Sequence, residues 1–358
     1  MKIGIFDPYL DDLGGGEKYM MTIAKCLSIE HEVSVFWDKK EDLEDITQRF
    51  SLDLGKIKIV KNIFSPNVSF LSRILESRKY DVIIFLSDGS IPVLLSKKLF
   101  LHFQQPIQEL AAKGFVNRLK LRRVSSVFYN SEYTKSFNKK ILTKIKSTVI
   151  YPPIFLMARN VEKENIILHV GRFRVKNVGL SDYKKQDVMI DEFKKLVDEQ
   201  EIKNWRFVLA VSIREKDKER FSLLKKQASG YPIEFLINKS NNDLWEIYNK
   251  SKIYWHASGF GEDLEAHPEF AEHFGISTVE AMGAGCVPVV INAGGQREII
   301  TDKKNGFLWN DLSELKSFTK LLIDDQKLWQ KMSKESALRA KDFSKENFYR
   351  EVYKLIEG

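Results

Sequence analysis

Two glutamates separated by seven residues, Glu272 and Glu280, flank a glycine that opens a predicted helix. The first turn of a helix has backbone N–H groups without intrahelical acceptors and a partial positive charge, so it suits an anionic diphosphate. Glu280 lies further into the helix, where its carboxylate would accept hydrogen bonds from ribose hydroxyls. Glu272 precedes the turn and would accept hydrogen bonds from sugar hydroxyls. The residues of this segment that we predict to contact such a ligand are Phe274, Gly275, Ile276, Ser277, Thr278 and Glu280.

A glycine-rich turn near the N-terminus, Gly14–Glu17, follows the first apolar run and opens another helix. In this position Gly15 and Gly16 would let the backbone approach a phosphate or a sugar closely. A tight turn without a ligand is the alternative. The chain has no complete Gly-x-Gly-x-x-Gly pattern, which disfavours an NAD-dependent enzyme.

Short apolar runs rich in β-branched residues alternate with amphipathic helical patterns along the chain. Such runs predict parallel strands with helices on both faces of the sheet, an α/β fold. In the first half the predicted strands are Lys2–Asp7, Val33–Trp37, Asp81–Leu86, Leu99–Phe103, Ser126–Asn130 and Thr148–Tyr151. In the second half they are Asn165–Gly171, Phe207–Val211, Ile233–Ile237, Lys252–His256, Val287–Ile291 and Gly306–Trp309.

Paired prolines, Pro152 and Pro153, interrupt this pattern and favour an extended linker. We therefore expect two Rossmann-like domains, 1–155 and 156–340, with ligands bound in a cleft between them. The length of 358 residues fits two domains. A last predicted helix, Lys345–Glu357, lies in a C-terminal segment, 341–358, that we expect to pack back on the first domain.

The composition excludes several classes of protein. With 43% hydrophobic and 30% charged residues and no low-complexity run, the chain is typical of folded globular proteins. Cys26 and Cys286 stand in apolar runs without metal-ligand spacing, so we expect buried thiols and no metal site. No segment approaches the ~18 uninterrupted apolar residues of a spanning helix, and we expect a cytoplasmic protein.

Positive charge is concentrated between residues 97 and 146, where twelve Lys or Arg face only two Glu. Apolar side chains alternate with basic ones in the stretch 113–123, a mixture that suits an anionic membrane surface. A solvated surface and a nucleic-acid site are the alternatives. Because no zinc-finger, basic-zipper or RNA-recognition pattern is present, we expect no nucleic acid as partner.

The segment around the two glutamates resembles the donor site of retaining GT-B glycosyltransferases of family 4. Glu272-His273-Phe274-Gly275 before the helix and Ala284-Gly285-Cys286-Val287-Pro288 after it are most similar to the mannosyltransferases of lipid-linked oligosaccharide assembly. Other matches occur in the family's order over nearly the whole chain. The resemblance implies a GT-B fold and a nucleotide-sugar donor.

The resemblance also assigns catalytic residues, namely His102, Arg172, Lys184 and Glu272. Arg172 and Lys184 match the family's basic pair, whose cations neutralise the diphosphate and replace a divalent metal, so no metal or other cofactor is expected. Lys185 lies beside Lys184, and either lysine matches. His102 matches a histidine near the reacting sugar, and Gly15 and Gly16 match the family's Gly-Gly loop.

The predicted reaction transfers a hexosyl group with retention of configuration to a saccharide or a lipid-linked saccharide. GDP-mannose is the first expectation for the donor, and a UDP-hexose or UDP-N-acetylhexosamine is the alternative. A sugar-nucleotide epimerase and a non-catalytic saccharide-binding or nucleotide-binding protein are alternatives of a different class, since a fold alone does not fix a reaction. A peripheral position on the cytoplasmic face of a membrane would fit a lipid-linked acceptor.

Overall fold

The structure is a computed structural model that describes residues 1–12, 14–107, 119–138, 142, 144–174, 183–200 and 202–358. The chain forms two compact units. Unit 1 contains Met1–Pro153 and Lys345–Gly358, and unit 2 contains Ile154–Ser344. Each unit is built on one parallel sheet.

Within the described residues, the sheet of unit 1 has seven strands in the order β3-β2-β1-β4-β5-β6-β7. Their bounds are β1 (Lys2–Phe6), β2 (Glu32–Phe36), β3 (Lys58–Val60), β4 (Val82–Leu86), β5 (Lys98–Phe103), β6 (Ser126–Tyr129) and β7 (Ser147–Val149). The direction of strand addition reverses between β1 and β4. Ligands of such sheets bind outside the carboxyl ends of the strands at this switch point.

The six-stranded sheet of unit 2 repeats this topology in the order β10-β9-β8-β11-β12-β13. Its strands are β8 (Glu164–Arg172), β9 (Arg206–Ser212), β10 (Ile233–Ile237), β11 (Ser251–His256), β12 (Val287–Ile291) and β13 (Phe307–Trp309). Here the switch point lies between β8 and β11. The predicted α/β fold with two parallel, Rossmann-like sheets is confirmed.

Helices cover both sheets. Among the described residues they are α1 (Gly15–Leu27), α2 (Lys40–Phe50), α3 (Phe70–Ser77), α4 (Glu132–Asn138), α5 (Gln186–Asp198), α6 (Lys218–Gln227), α7 (Asn241–Lys250), α8 (Ile276–Gly283), α9 (Gln296–Ile299), α10 (Leu312–Asp324), α11 (Gln326–Ala340) and α12 (Lys345–Glu357). Short 3-10 turns lie at Leu10–Asp12, Glu215–Asp217, Pro268–Phe270 and Lys341–Phe343.

The twelve predicted strands are all present, and their ends differ from the predicted ones by at most two residues. The edge strand β3 was missed because Lys58 and Lys61 flank its two apolar residues and leave no apolar run. The edge strand β7 is equally short, but its apolar run continues beyond the strand to Tyr151. The central strand β4 is buried at every position, which gives the continuous apolar run that predicted it. Both cysteines are free and buried, as expected.

The last helix, α12, is part of unit 1 and packs on α1. The Phe348 ring lies 5.3 Å from the Tyr19 ring, and the Tyr353 hydroxyl donates a 3.0 Å hydrogen bond to the Cys26 carbonyl oxygen. Phe348 and Val352 are buried, so the apolar face of the helix supplies part of the unit 1 core. Residues distant in sequence therefore complete the first core.

Candidate active site

Polar side chains meet at the switch point of the unit 2 sheet, where β8 ends at Arg172 and β11 ends at His256. The loop after β11 returns Glu272 to this edge. The Lys184 Nζ atom donates to Glu272 Oε2 at 2.5 Å, and His256 Nε2 lies 2.8 Å from the same oxygen. Lys184 also lies beside the end of β8, since a Cβ on Gly171 would be 3.4 Å from the Lys184 Cγ atom. Arg172, Lys184 and Glu272 are therefore brought to one edge of the sheet.

The Glu272 carboxylate is stabilised in its ionised form. Burial alone would raise its pKa, but the Lys184 ammonium and the His256 hydrogen bond outweigh burial and hold the pKa well below its usual range. The side chain keeps 18% of its exposure, and that of Lys184 keeps 23%. An ionised and partly accessible hydrogen-bond acceptor is suited to sugar hydroxyls.

His256 contributes a neutral imidazole. Its side chain is 1% exposed, and burial lowers its pKa. Because a carboxylate only accepts hydrogen bonds, the neutral ring must carry its proton on Nε2. This N–H group donates a hydrogen bond to Glu272. His256 was not among the predicted site residues, although its place at the carboxyl end of a predicted strand was a signal for it.

Lys185 has a different partner from Lys184. It precedes α5 in the left-handed region with φ 56°, and its Nζ atom donates to Glu262 Oε1 at 2.5 Å. Both side chains of this pair are mostly buried, 8% exposed for Lys185 and 15% for Glu262. The loop that carries Glu262 is thereby fixed to the start of α5. Nothing in the sequence pattern marked Glu262.

The start of α8 has the backbone form that the glycine permits. Gly275 has φ 121°, a conformation that L side chains rarely adopt, and a Cβ there would lie 2.9 Å from the Gln296 amide nitrogen. Phe274 is buried before the turn. Ile276 begins the helix, and the next two side chains are fixed: Ser277 Oγ accepts from the Tyr254 hydroxyl at 2.8 Å, and Thr278 Oγ1 accepts from Gln296 at 3.1 Å.

Glu280 lies in the middle of α8 and is nearly buried, 8% exposed. Its Oε2 atom accepts a 3.2 Å hydrogen bond from the Tyr248 hydroxyl. Burial and the adjacent carboxylate raise the pKa of Tyr248 well above its usual value, so the phenol stays protonated and donates. One oxygen of Glu280 is thus oriented by the protein.

The glycine pair Gly294-Gly295 forms a turn that contacts the backbone of the site. The Gly295 N–H donates to the Glu272 carbonyl oxygen at 2.8 Å, and Gly294 has φ 58°. A Cβ on Gly295 would lie 2.5 Å from the Phe274 Cα atom, and one on Gly294 would contact the Glu272 carbonyl oxygen. The turn therefore packs directly on the Glu272–Phe274 backbone.

The predicted residues of unit 1 lie at the carboxyl edge of its own sheet. His102 is fully buried, stacked between the rings of Tyr19 at 4.7 Å and Phe128 at 4.2 Å. Its Nδ1 atom lies 3.1 Å from the Phe128 carbonyl oxygen, and its Nε2 atom has no hydrogen-bond partner among the described residues. Burial lowers the pKa of His102 to about 3, so the ring is neutral near pH 7 and acts as a hydrogen-bonding group.

The Gly14–Glu17 turn is held by a side chain of its own helix. Glu17 Oε2 accepts from the Gly14 N–H at 2.5 Å, and the Gln104 amide donates to the Gly16 carbonyl oxygen at 3.1 Å. Gly15 is the first residue of α1. Asp7 after β1, which the sequence did not single out, is fully buried close to this turn, and burial and the Glu17 charge raise its pKa to about 8.

Over the described ranges, no group of three or more His, Cys, Asp or Glu side chains is arranged to hold a metal ion. No described helix has the length and apolar character needed to cross a bilayer.

Comparisons with known proteins identify the family. Residues 157–339 match the family model described as Glycosyl transferases group 1. The chain is 21% identical over 439 residues to GDP-Man:Man(3)GlcNAc(2)-PP-Dol alpha-1,2-mannosyltransferase of Dictyostelium discoideum, with 100% of this chain and 84% of the relative covered. It is 24% identical to GalNAc-alpha-(1->4)-GalNAc-alpha-(1->3)-diNAcBac-PP-undecaprenol alpha-1,4-N-acetyl-D-galactosaminyltransferase of Campylobacter jejuni, with 99% and 98% covered.

Solved structures share the fold at low sequence identity. HepE of Anabaena in complex with UDP and glucose has a TM-score of 0.73 and 17% identity, and 100% of this chain and 99% of that chain are covered. A glycosyltransferase from Rickettsia africae has a TM-score of 0.76 and 16% identity, with 99% and 97% covered. The match of more than half of the chain to the family model shows that this protein is a glycosyltransferase of the glycosyl transferases group 1 family.

Proposed function

We propose that the protein is a retaining, metal-independent hexosyltransferase of family 4, which transfers mannose from GDP-mannose to a saccharide or a lipid-linked saccharide. The observation that carries this proposal is the Glu272 carboxylate, held ionised between Lys184 and His256 at the switch point of the unit 2 sheet. This arrangement puts a charged acceptor for sugar hydroxyls next to a cation for phosphate. The names of two relatives, one acting on a PP-Dol and one on a PP-undecaprenol substrate, support a lipid-linked acceptor.

In the proposed donor complex, the N-terminal turn of α8 and the cations of Arg172 and Lys184 bind the diphosphate. Glu280 accepts hydrogen bonds from the ribose, and Glu272 from the hexose. The family resemblance also supports donor-binding roles for Gly15, Gly16 and His102. The supporting features are the positive φ of Gly275 before α8 and the Ser277 and Thr278 hydroxyls, which are fixed by hydrogen bonds from Tyr254 and Gln296.

The proposed reaction proceeds on one face of the sugar. The bond between the anomeric carbon and the diphosphate oxygen breaks, and the acceptor oxygen bonds to that carbon from the same side. The acceptor proton passes to the leaving phosphate oxygen. Arg172 and Lys184 stabilise the negative charge that develops on the diphosphate, the role that a divalent metal has in other transferases.

A UDP-sugar is the second candidate donor. Two comparisons favour it: the Campylobacter relative is named as an N-acetylgalactosaminyltransferase, and the Anabaena structure contains UDP.

We also infer that the protein acts as a peripheral protein at the cytoplasmic face of a membrane, through 113–123 and neighbouring lysines. Of this stretch only 119–123 lies within the described residues.

Calorimetry with GDP, UDP, GDP-mannose and UDP-sugars, with and without EDTA, tests the donor proposal. We expect micromolar binding of one nucleotide, unchanged by EDTA. Glu280→Ala should weaken that binding by about 10- to 100-fold, because hydrogen bonds to a charged acceptor contribute about 1.5–3 kcal/mol. The exposed Glu219 on α6 gives the matched control, Glu219→Ala, which should bind like wild type.

The variant Glu280→Gln keeps a partner for the Tyr248 hydroxyl and so separates loss of the ribose contact from local misfolding.

Analysis of the product's anomeric configuration by NMR tests whether the reaction proceeds with retention. Absence of binding to every nucleotide by a folded wild-type protein would contradict the proposal.

A further inference from the structure

One face of the unit 1 sheet is covered by three consecutive connections. Phe6, Phe85 and Leu101 point into a core on this face, and Ile91, Leu94 and Val124 from the connections pack into the same core. The first connection is α3, which leads into β4. The second is the segment 91–96 before β5, and the third includes the segment 119–124 before β6.

The three connections are joined by hydrogen bonds. The Leu95 N–H donates to Ser77 Oγ at the end of α3 at 3.0 Å, and the Arg123 Nη2 atom donates to the Ser96 carbonyl oxygen at 2.9 Å. These contacts align α3, 91–96 and 119–124 as one layer. We call this layer the outer layer of unit 1.

Large apolar side chains point away from the core on this layer. Leu71 is 69% exposed, Leu75 is 58% exposed and Phe70 is 57% exposed, all on the eight-residue helix α3. Leu95 and Leu119 on the other two connections are 42% and 44% exposed. Single exposed leucines need no explanation, but a group of five on adjoining segments marks an interaction surface.

The apolar residues of α3 share a face with an arginine. Leu71, Leu75 and Arg78 follow at intervals of four and three residues, so they project from the same side of the helix. Arg78 and Lys79 are exposed, as are Arg122 and Arg123 on the third connection. Lys97, 80% exposed, also lies on the layer beside Asp81. Two acidic side chains also lie there, Glu76 paired with Lys79 and Asp81 paired with Lys97, but basic residues outnumber them.

We propose that the outer layer of unit 1, including Leu71 and Leu75 on α3, docks on an anionic lipid bilayer. The leucine side chains lie at the boundary of headgroups and acyl chains, and the arginines contact lipid phosphates. Charge complementarity identifies the occupant: basic side chains outnumber acidic ones on this surface, which suits anionic lipid phosphates, whereas the centres of protein interfaces are depleted of lysines such as Lys97. The proposal deepens the proposed function, since a lipid-linked acceptor resides in such a bilayer.

Sedimentation with vesicles of phosphatidylcholine, with and without phosphatidylglycerol, tests the docking. Wild type should bind the vesicles that contain phosphatidylglycerol, and added salt should weaken binding. The double variant Leu71→Ser/Leu75→Ser should lower the partition coefficient by about tenfold or more, because two large apolar side chains are no longer transferred from water into the bilayer. The variant Arg78→Glu/Arg122→Glu should abolish the preference for phosphatidylglycerol.

The control variant Leu223→Ser/Leu338→Ser changes two leucines of unit 2 that are 55% and 59% exposed. It should bind vesicles like wild type. Binding of Leu71→Ser/Leu75→Ser at the wild-type level would overturn the proposal, as would absence of vesicle binding by wild type. A wild-type dimer in analytical ultracentrifugation that the leucine variant converts to a monomer, without any effect on vesicles, would instead identify a second copy as the occupant.

Transfer to a water-soluble acceptor separates this inference from the proposed function. The leucine and arginine variants should transfer sugar to such an acceptor at the wild-type rate, because none of the altered residues lies in the donor site. Loss of vesicle binding with intact soluble transfer supports docking. Vesicle binding without any transfer by wild type would contradict the proposed function and leave the docking surface supported.

Discussion

Lys184 and Lys185 are neighbours in the chain, but their ammonium groups contact different carboxylates. Lys184 pairs with Glu272 at the edge of the sheet, and Lys185 pairs with Glu262 of the preceding loop. The left-handed φ of Lys185 turns its side chain away from that of Lys184. Of the two lysines that matched the family's pattern equally, we therefore expect Lys184 to contact the diphosphate and Lys185 to fix the loop.

Variants at the two lysines should differ in kind. Lys184→Ala should reduce kcat/KM by about 100-fold or more, because a cation at the developing negative charge is lost. Lys185→Ala should instead lower the free energy of unfolding by about 3 kcal/mol, since Glu262 would remain mostly buried without its partner. Steady-state kinetics and urea unfolding of both variants measure these effects.

The double variant Lys185→Met/Glu262→Gln removes both charges and should restore most of the stability that Lys185→Ala loses. A large fall in kcat/KM of this stable double variant would show that Lys185, too, acts on the donor.

At the residue scale the sequence identifies side chains whose chemistry is visible in a local pattern. Glu272, Glu280 and Gly275 were predicted because one helix start holds all three. His256 and Glu262 were not, because their roles depend on the path of the loop between β11 and α8. That path results from tertiary packing, on which spacing gives no information.

The turn Gly294-Gly295 shows how one element sets the position of another. It precedes the four-residue helix α9, and its backbone lies against Glu272 and Phe274. Both glycines are required, because a Cβ at either position would meet backbone atoms that cannot move aside. The carboxylate position is thus set by the fit of a turn against a loop.

Gly294→Ala should therefore weaken nucleotide-sugar binding as well as stability. The matched control is Gly230→Ala, which has a similar positive φ of 85° but no atom within 4 Å of the added Cβ. We expect the control to lose only about 1–2 kcal/mol from backbone strain and to bind donor like wild type. Thermal unfolding and calorimetry measure both effects; equal donor affinity in the two variants would show that the turn does not position Glu272.

At the element scale, continuous apolar runs predicted twelve strands, because a parallel strand that is buried on both faces has apolar residues at nearly every position. The short edge strand β3 lies half-exposed and lacks this signal. The outer layer of unit 1 was only partly foreseen: the basic stretch is visible in the sequence, but the exposure of Leu71 and Leu75 depends on which side of α3 meets the core.

Buried ionisable groups give the whole molecule two opposing responses to pH. His102 and His169 have pKa values lowered by burial to about 3, so their contribution to stability is lost as pH falls below about 6.5. Asp7 has its pKa raised to about 8, so the folded state holds a proton that the unfolded state releases above about pH 3.8. Its contribution to stability is therefore lost as pH rises from about 4 to about 8.

Asp7→Asn removes this titration and should become more stable relative to wild type as pH rises through that window. Urea unfolding at several pH values between about 4 and about 8 measures the difference. The exposed Asp45 on α2 provides the control, Asp45→Asn, whose difference from wild type should not change with pH. A constant difference for Asp7→Asn would mean that Asp7 is already ionised in the folded protein.

Unit 1 is formed by two segments that are distant in the chain, and this affects the order in which the units fold during synthesis. Its first residues leave the ribosome before any of unit 2, yet α12, which covers α1, is synthesised only after Ser344. Domains fold as units during synthesis. Unit 2 is one continuous segment and can therefore close its core before Phe348 and Tyr353 are available to pack on Tyr19 and Cys26 of α1. The unit whose first segment is synthesised earlier thus finishes folding later.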